Sequence, residues 1–142
     1  GQYLSTDSKG RALMISAIEK RKFVYVLNRD NAGNPTVASP LEAHRNRTVT
    51  YTTVGLDNGY DNPLFAALER QYPETMTAGD DVTIGDDGGG GVGGHHSSPA
   101  EAAEKELAYY ELDLGLNHVS RRWATPVHRS AICLAAVPGG AD

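Results

Sequence analysis

The sequence predicts an all-β protein built from short antiparallel strands. Two apolar runs, residues 12–17 and 23–27, are too short for isolated helices, and the second is rich in β-branched and aromatic residues. About eight or nine such segments recur at roughly ten-residue spacing, without a repeated alternation of strand and helix. This pattern is typical of a sandwich, a barrel or propeller blades, and periodicity alone leaves all three open.

The other strands are placed by β-branched residues and turn signals. Residues 48–54 are dense in Thr and Val, and Asn58-Gly59 favours a tight turn before a returning strand at 64–68. Residues 107–114 alternate with a period of two, with Tyr110, Leu112 and Leu114 on one face. A turn at 115–117 leads into a strand at 118–124, and a final strand is predicted over 131–137.

Two segments between these strands are assigned from local signals. Residues 19–22, Glu-Lys-Arg-Lys, predict a charged and solvated hairpin connection rather than a binding patch. Residues 98–101, Ser-Pro-Ala-Glu, have the spacing of a capping box with proline at the first helical position. We expect a turn or two of helix there at most, because so short a helix is marginal without tertiary support.

The acidic charge of the chain is concentrated in one segment. Residues 72–104 contain seven of the 18 acidic residues and no Lys or Arg, together with a run of four glycines, so we expect a disordered acidic insertion. The remaining 11 acidic residues face 13 basic ones, so the rest of the chain is near neutral. Neither part offers the basic stripe that direct nucleic-acid binding requires.

Composition also predicts whether the chain crosses a membrane and in which redox compartment it resides. No run approaches the roughly 20 apolar residues of a membrane-spanning helix, so no membrane partner is expected. The single cysteine, Cys133, has no internal partner for a disulfide, which fits a reducing compartment. Because the chain begins with Gly1 and no leader follows, we expect it to start inside a longer gene product or to follow processing.

Three patterns could carry chemistry, but each has a simpler interpretation. The glycine pattern at 89–94 resembles a dinucleotide-binding motif but neither follows a strand nor opens a helix, so no cofactor is predicted. The pair His95-His96 could bind a metal, yet adjacent ligands in a flexible loop lack rigid support, and no metal site is predicted. Cys133 could be a nucleophile with His118 or His128 as base, but its apolar run favours a core position.

Several longer strings resemble the splicing factor 3b subunit 3 family. They include Gly-Arg-Ala at 10–12 followed by Met14-Ile15, Ala-Ile-Glu-Lys at 17–20, and Leu-Asn-Arg-Asp at 27–30. Ser-Pro-Leu-Glu-Ala-His at 39–44, Asp-Asn-Pro-Leu-Phe-Ala at 61–66, the ten residues 110–119 and Val-Pro-Gly-Gly at 137–140 continue the resemblance in the same order. It spans the chain apart from about 73–104, where the insertion is unusually rich in glycine.

The resemblance implies a fold and a function. The family belongs to the large triple-propeller proteins, so the chain is expected to form about two four-stranded antiparallel blades of a seven-bladed first propeller. The blade regions would be residues 1–71 and 105–142, separated by the insertion at 72–104. The implied function is a non-enzymatic nuclear scaffold of the U2 small nuclear ribonucleoprotein that supports branch-site recognition in pre-mRNA splicing. Its partners would be the HEAT-repeat large subunit and the small subunits of splicing factor 3b.

The segments that carry the resemblance also supply a predicted partner interface. Rim loops and their flanking strand ends are expected to contact other subunits, although a purely structural role as turn residues is an equal alternative at several positions. Trp123 is expected to pack between sheets, with a partner anchor as the alternative. The candidate interface residues are Asn28, Arg29, Asp30, Ser39, Glu42, His44, Tyr51, Glu111, Asp113, Asn117 and His118.

Two other functions remain open at this point. Related propeller proteins act as adaptors in DNA repair with a ubiquitin ligase, or in mRNA 3′-end processing, and share the architecture. A metal-dependent propeller enzyme is a further alternative, since propellers can place a metal or an acid at the centre of the ring.

Overall fold

A computed structural model describes residues 3–18, 21–43, 48–56, 59, 61–71 and 104–137. These residues form nine strands and, in the described ranges, no helix that could cross a membrane. The strands are β1 (Tyr3–Thr6), β2 (Ala12–Ile18), β3 (Arg21–Arg29), β4 (Pro35–Val37), β5 (Leu41–Glu42), β6 (Thr48–Leu56), β7 (Leu64–Gln71), β8 (Lys105–Asp113) and β9 (His118–Val127).

The first sheet has four strand positions, and the fourth is occupied by two short strands. Its order is β1-β2-β3-β4, and all the pairings are antiparallel. Strand β4 pairs with the end of β3 at Leu27–Arg29, whereas β5 pairs with Phe23 and Val24 nearer its start. Proline at position 40 has no N–H to donate to a ladder, which suits the break between them.

The second sheet is a four-stranded antiparallel meander in the order β6-β7-β8-β9. Residues 72–103 therefore fall between two paired strands of this sheet. The last strand of the first sheet ends at Glu42, and the first strand of the second sheet begins at Thr48. This differs from the sequence-based division, which placed one blade region before the insertion and one after it. The expected disorder of the insertion lies outside the described residues.

The core lies between the two sheets and follows the predicted alternation along the strands. Phe65 and Ala67 of β7 and Tyr110 and Leu112 of β8 are buried, and they form one cluster with apolar residues of the first sheet, namely Ala12, Met14 and Val24. Leu114, predicted on the same face as Tyr110, lies instead in the turn after β8 and is 38% exposed. Two sheets stacked through one apolar layer agree with the all-β prediction.

The first strands of the two sheets approach each other unusually closely. A Cβ atom placed on Gly55 of β6 would lie 2.1 Å from the backbone oxygen of Thr6 in β1. Nearby, the hydroxyl oxygens of Ser5 and Thr53 are 2.5 Å apart and form a buried hydrogen bond. Only glycine allows this backbone approach, so the sequence fixes the spacing of β1 and β6 at this point.

A buried ion pair also joins the two sheets. The Lys22 ammonium of β3 lies 2.7 Å from the Glu69 carboxylate of β7, and both side chains are at most 1% exposed. Lys22 also donates to the Thr48 hydroxyl of β6. The prediction of a solvated connection at 19–22 is therefore wrong for Lys22, because a carboxylate from a distant strand supplies its counter-charge within the core.

Three further side chains bind the Glu69 carboxylate, and the first is the Thr48 hydroxyl, which donates to it at 3.4 Å. The Tyr110 hydroxyl donates to the same carboxylate at 3.0 Å, and the Arg121 guanidinium lies 3.3 Å from it and 2.6 Å from Glu106. Burial raises the pKa of Tyr110, as does the negative charge of Glu69, so the phenol stays protonated and remains a donor. We call this group, Lys22, Thr48, Glu69, Tyr110 and Arg121, the buried charge cluster.

Three other predictions differ from the structure near the C-terminal end. Residues 131–137 form no strand, and Cys133 is exposed rather than in the core. Trp123 is 51% exposed and stacks on Tyr109 instead of packing between the sheets. Of the predicted short helix, residues 98–103 lie outside the described part of the chain, and β8 already begins at Lys105.

Candidate protein interface

Four connections between strands gather at one end of both sheets. Because successive strands run in opposite directions, β1 and β3 end at the same end of the first sheet, and β6 and β8 end at the same end of the second. The two sheets are joined at this end by a hydrogen bond of 2.5 Å from the Arg11 guanidinium to the backbone oxygen of Asp61. We call this end, residues 7–11, 30–34, 61–63 and 114–117, the turn rim.

The first connection of the turn rim is ordered by an ion pair. Arg11 donates from Nε to Asp7 Oδ2 at 2.8 Å and from its terminal nitrogen to Oδ1 at 3.0 Å. This forked contact suits the planar guanidinium, and it holds the pKa of Asp7 below the ordinary value of 3.8. Since the same guanidinium binds Asp61, the pair also positions the connection between β6 and β7.

The Asp7–Arg11 pair predicts an acid-dependent loss of stability. A carboxyl whose pKa is lowered by folding contributes stability that is complete well above pH 3.8 and is lost as pH falls through the folded-state pKa. The Asp7→Asn variant is expected to be less stable than the parent protein at pH 7, and this difference should shrink as the pH falls below 3.8. Urea unfolding midpoints measured across this pH range test the expectation.

The control for this experiment is Asp61→Asn at the same rim. The Asp61 carboxylate makes no hydrogen bond or ion pair within the described residues, so this variant should keep the acid dependence of the parent. A stability difference between Asp7→Asn and the parent that stays constant as the pH falls below 3.8 would contradict the role given to Asp7.

The predicted residues Asn28, Arg29 and Asp30 begin the second connection of the rim. Asp30 Oδ1 accepts hydrogen bonds from the backbone N–H groups of Ala32 and Asn34 at 2.9 and 2.8 Å. These contacts, with the side chain of Asn34 contributing most, lower the pKa of Asp30. Arg29 donates to the backbone oxygen of Gly33 at 2.9 Å, so both charged side chains shape the turn itself and Asn28 is left exposed beside it.

The predicted residues Asp113, Asn117 and His118 surround the turn between β8 and β9. Asp113 Oδ1 accepts from the backbone N–H groups of Gly115 and Leu116, each at 2.9 Å. Asn117 has a φ of 51°, a left-handed conformation that asparagine tolerates better than most residues. The turn presents Leu116 to solvent with 78% of its surface exposed, next to the exposed His118.

The predicted residue Glu111 lies in a polar cluster beside this turn. It accepts a hydrogen bond from Asn62 Nδ2 at 2.8 Å and forms an ion pair with Arg122. The hydrogen bond from Arg122 is the main cause of the lowered pKa of Glu111. Asn62 Oδ1 also accepts from the backbone N–H of Leu114 at 3.3 Å, which ties the third connection of the rim to the fourth.

A β-bulge in β9 brings an aromatic side chain to the same cluster. Tyr109 pairs with Trp123 and Tyr110 with Arg121, so Arg122 is an extra residue in β9. Arg121 points to the buried charge cluster, whereas Arg122 and Trp123 both reach the face that carries Glu111 and Tyr109. A cavity of about 310 Å³ lies beside them, lined by Asp61, Asn62, Leu64, Glu111 and Trp123.

The remaining predicted interface residues do not join the turn rim. Glu42 pairs with Phe23 near the start of β3, at the other end of the first sheet, and lies 3.7 Å from Arg21. Tyr51 is partly buried in β6 with the Lys105 ammonium 4.1 Å from its ring centre. Ser39 is exposed between β4 and β5, and His44 lies outside the described residues.

The structure adds residues that are not among the candidate interface residues chosen from the sequence. Asp61 and Asn62 of the rim line the cavity together with Trp123 of β9, for which a partner anchor was only the alternative interpretation. Leu116 is the most exposed large apolar residue of the rim. Leu116 carried a signal, since a leucine between Gly115 and Asn117 falls within a predicted turn. Asp61 and Asn62 carried no such signal, because their proximity to Trp123 depends on the pairing of strands and on the bulge.

The metal and nucleophile alternatives can be compared with the geometry of the described residues. Within them, no three His, Cys, Asp or Glu side chains are grouped so that they could hold a metal. His128 Nδ1 lies 2.7 Å from the Ser130 hydroxyl in an exposed turn. The pair His95-His96 and the glycine run lie outside the described part of the chain.

Comparison with known proteins identifies relatives over the whole chain. The family described as RSE1/DDB1/CPSF1 first beta-propeller matches residues 1–141. Spliceosome-associated protein 130 A of Arabidopsis thaliana is 51% identical over 142 residues, and pre-mRNA-splicing factor prp12 of Schizosaccharomyces pombe is 48% identical over 145. Splicing factor 3B subunit 3 of Drosophila melanogaster is 45% identical over 142 residues.

These alignments cover 100% of this chain and 10% of each of the three relatives. The chain therefore spans about a tenth of the length of the curated relatives that it matches. The resemblance stated from the sequence is confirmed, and so is the prediction of an all-β fold with two antiparallel sheets of a first propeller. The chain belongs to the RSE1/DDB1/CPSF1 first β-propeller family, and its homologues are pre-mRNA splicing factors.

Proposed function

We propose that this chain is part of a non-enzymatic protein–protein scaffold of splicing factor 3b, acting in the nucleus in pre-mRNA splicing. The observation that carries the proposal is identity of 45–51% to splicing factors over the whole chain. The scaffold would hold the HEAT-repeat large subunit and the small subunits of splicing factor 3b, and thereby support branch-site recognition by the U2 small nuclear ribonucleoprotein.

The turn rim supports a mechanism in which the chain acts by holding partner proteins in fixed positions. Its connections are fixed by their own side chains, as at Asp7, Asp30 and Asp113, so little conformational entropy remains to be lost on binding. The sheets beneath it are tied together by the buried charge cluster and by the contact at Gly55. A rigid edge of this kind can present the exposed Leu116 and the neighbouring polar groups in a constant arrangement.

Affinity purification of the protein followed by mass spectrometry tests this function. Recovery of splicing factor 3b subunits and branch-site factors is the expected result. Recovery of a ubiquitin ligase or of the mRNA 3′-end processing machinery in their place would overturn the proposal in favour of the related adaptors.

A substitution at the rim tests the mechanism. Leu116→Arg places a charge on a 78% exposed apolar position of the turn rim and is expected to lower the recovery of at least one subunit about tenfold. The matched control is Ile132→Arg, which is 72% exposed and follows Ala131, whose backbone oxygen binds Lys105 at the opposite end of β8. Equal recovery with both variants would contradict a contact at the rim.

A further inference from the structure

The gap between β4 and β5 contains a serine that is followed directly by a proline. Ser39 and Pro40 are both exposed, and neither belongs to a strand. Within the described residues, the Ser39 hydroxyl makes no hydrogen bond to another group of the protein. The residue before a proline is restricted to extended backbone, so Ser39 is presented in the conformation in which protein kinases bind their substrates.

This gap lies on the outer edge of the first sheet. The two sheets converge at their first strands, where Gly55 of β6 meets the backbone of Thr6 in β1. Strands β4 and β5 lie at the far side of the first sheet, and within the described residues they pair only with β3. In a ring of blades, neighbouring sheets cover the faces of a sheet, whereas the edge of its fourth strand lies on the circumference. Ser39 is therefore on a part of the ring that neighbouring sheets leave open.

The segment around Ser39 is held by few contacts. Strand β4 has three residues, all of them exposed, and β5 has two. A backbone hydrogen bond of 3.0 Å from Ala38 to Val26 fixes the start of the gap. A kinase binds several residues of its substrate as an extended chain, and a short edge segment can leave its sheet for this purpose at low cost.

A second pair of the same kind in this chain is placed very differently. Thr125 is exposed and is followed by Pro126, but both belong to the ten-residue strand β9. They pair with Leu107 and Glu106 in a ladder that runs along the whole of β8. The two dipeptides are equivalent in sequence, so only the strand pairing favours Ser39 over Thr125.

We propose that Ser39 is phosphorylated by a proline-directed protein kinase, with ATP as the phosphate donor. The Ser39 Oγ forms a bond to the γ-phosphorus of ATP, while the bond from that phosphorus to the oxygen bridging to the β-phosphate breaks. ADP leaves, and the hydroxyl proton passes to the carboxylate base of the kinase. Proline suits the next position because it has no backbone N–H that the kinase must satisfy. This site goes beyond the proposed scaffold function and does not depend on it.

Phosphorylation would change the charge of the outer edge. A phosphoserine carries about −1.5 to −2 charges at pH 7. Residues 34–43 contain no Lys or Arg, and the carboxylate of Glu42 already lies 3.7 Å from Arg21. The new charge is therefore not neutralised by its own segment, so it would favour a basic partner at this edge and repel an acidic one.

The test uses the folded 142-residue chain, a purified active mitogen-activated protein kinase and Mg-ATP. The phosphate added at each site is followed over time by mass spectrometry of proteolytic peptides. We expect Ser39 to be modified at least about tenfold faster than Thr125. Synthetic peptides of residues 33–45 and 119–131 are the control, and their rates should differ by less than about threefold because neither peptide carries the strand pairing.

Variants of the chain test the assignment of the site. Ser98→Ala is present in every protein used, because the pair Ser98-Pro99 lies outside the described residues. Pro40→Ala should slow phosphorylation of Ser39 at least about tenfold, whereas Thr125→Val should leave it within about twofold of the parent. Circular dichroism shows that each variant is folded. Phosphoserine is also expected at position 39 of the full-length protein purified from its own cells.

Several results would overturn the inference. They are equal rates at Ser39 and Thr125 in the folded chain, modification of Ser39 in the peptide alone, or a rate that Pro40→Ala does not change. Absence of phosphoserine at position 39 in the full-length protein from cells would do the same. None of these results concerns the partners recovered by affinity purification, so the scaffold proposal is tested separately.

Discussion

Replacement of Glu69 by leucine is expected to lower the free energy of unfolding by about 3–5 kcal/mol. Glu69 is fully buried and faces the Lys22 ammonium at 2.7 Å, so the substitution removes the counter-charge of a cation that is itself only 1% exposed. It also removes the acceptor of the Tyr110 hydroxyl. Urea unfolding followed by circular dichroism measures the loss.

A double-mutant cycle distinguishes this mechanism from a simple loss of packing. In Lys22→Met, Glu69 keeps its contacts with Tyr110 and Arg121, so the loss should be smaller than in Glu69→Leu. The double variant should recover at least about 1 kcal/mol relative to Glu69→Leu, since an apolar pair can replace a buried ion pair. Additive losses in the double variant would show that the two charges are not coupled.

The exposed pair formed by Arg21 and Glu42 provides the comparison. Its atoms are 3.7 Å apart and its side chains are 46% and 40% exposed. Glu42→Gln should therefore change stability by less than about 1 kcal/mol.

Replacement of Gly55 by valine is expected to cost about 3 kcal/mol or more. The Cβ would lie 2.1 Å from the backbone oxygen of Thr6 and 3.0 Å from its carbonyl carbon. Backbone atoms cannot rotate away as the end of a side chain could, so β1 and β6 would have to separate. Separation would also stretch the hydrogen bond between Ser5 and Thr53.

The matched control is Gly115→Ala in the turn after β8. A Cβ there would meet only the Asp113 carboxylate at 3.4 Å, so we expect a change of less than about 1 kcal/mol. Thermal unfolding of both variants and the parent gives the comparison. A Gly55→Val protein as stable as Gly115→Ala would mean that the two strands are not held at this distance.

The strands could be predicted because their signals are local. The apolar runs at 12–17 and 23–27 correspond to β2 and β3, and the alternation along 107–113 corresponds to the buried Tyr110 and Leu112 of β8. The same local reasoning failed at 131–137, where an apolar composition resembled a strand but no neighbouring strand pairs with it in the described chain.

The buried charge cluster could not be predicted because its members are distant in sequence. Lys22 stands in a run of charged residues, which usually marks solvent, and its counter-charge follows 47 positions later in β7. For the candidate interface, residues such as Asp30 and Asp113 were recognisable as turn formers. The cavity at Trp123 was not, because it depends on the one-residue shift between β8 and β9.

The pairing of β7 with β8 has a consequence for how this protein can vary. Glu69 lies opposite Glu106, and Gln71 donates to Glu106, so the polypeptide leaves and re-enters the second sheet at neighbouring points. The distance to be bridged is therefore that of an ordinary hairpin, whatever number of residues stands between. A change in the length or composition of that stretch is therefore expected to leave the pairing of β7 with β8 in place.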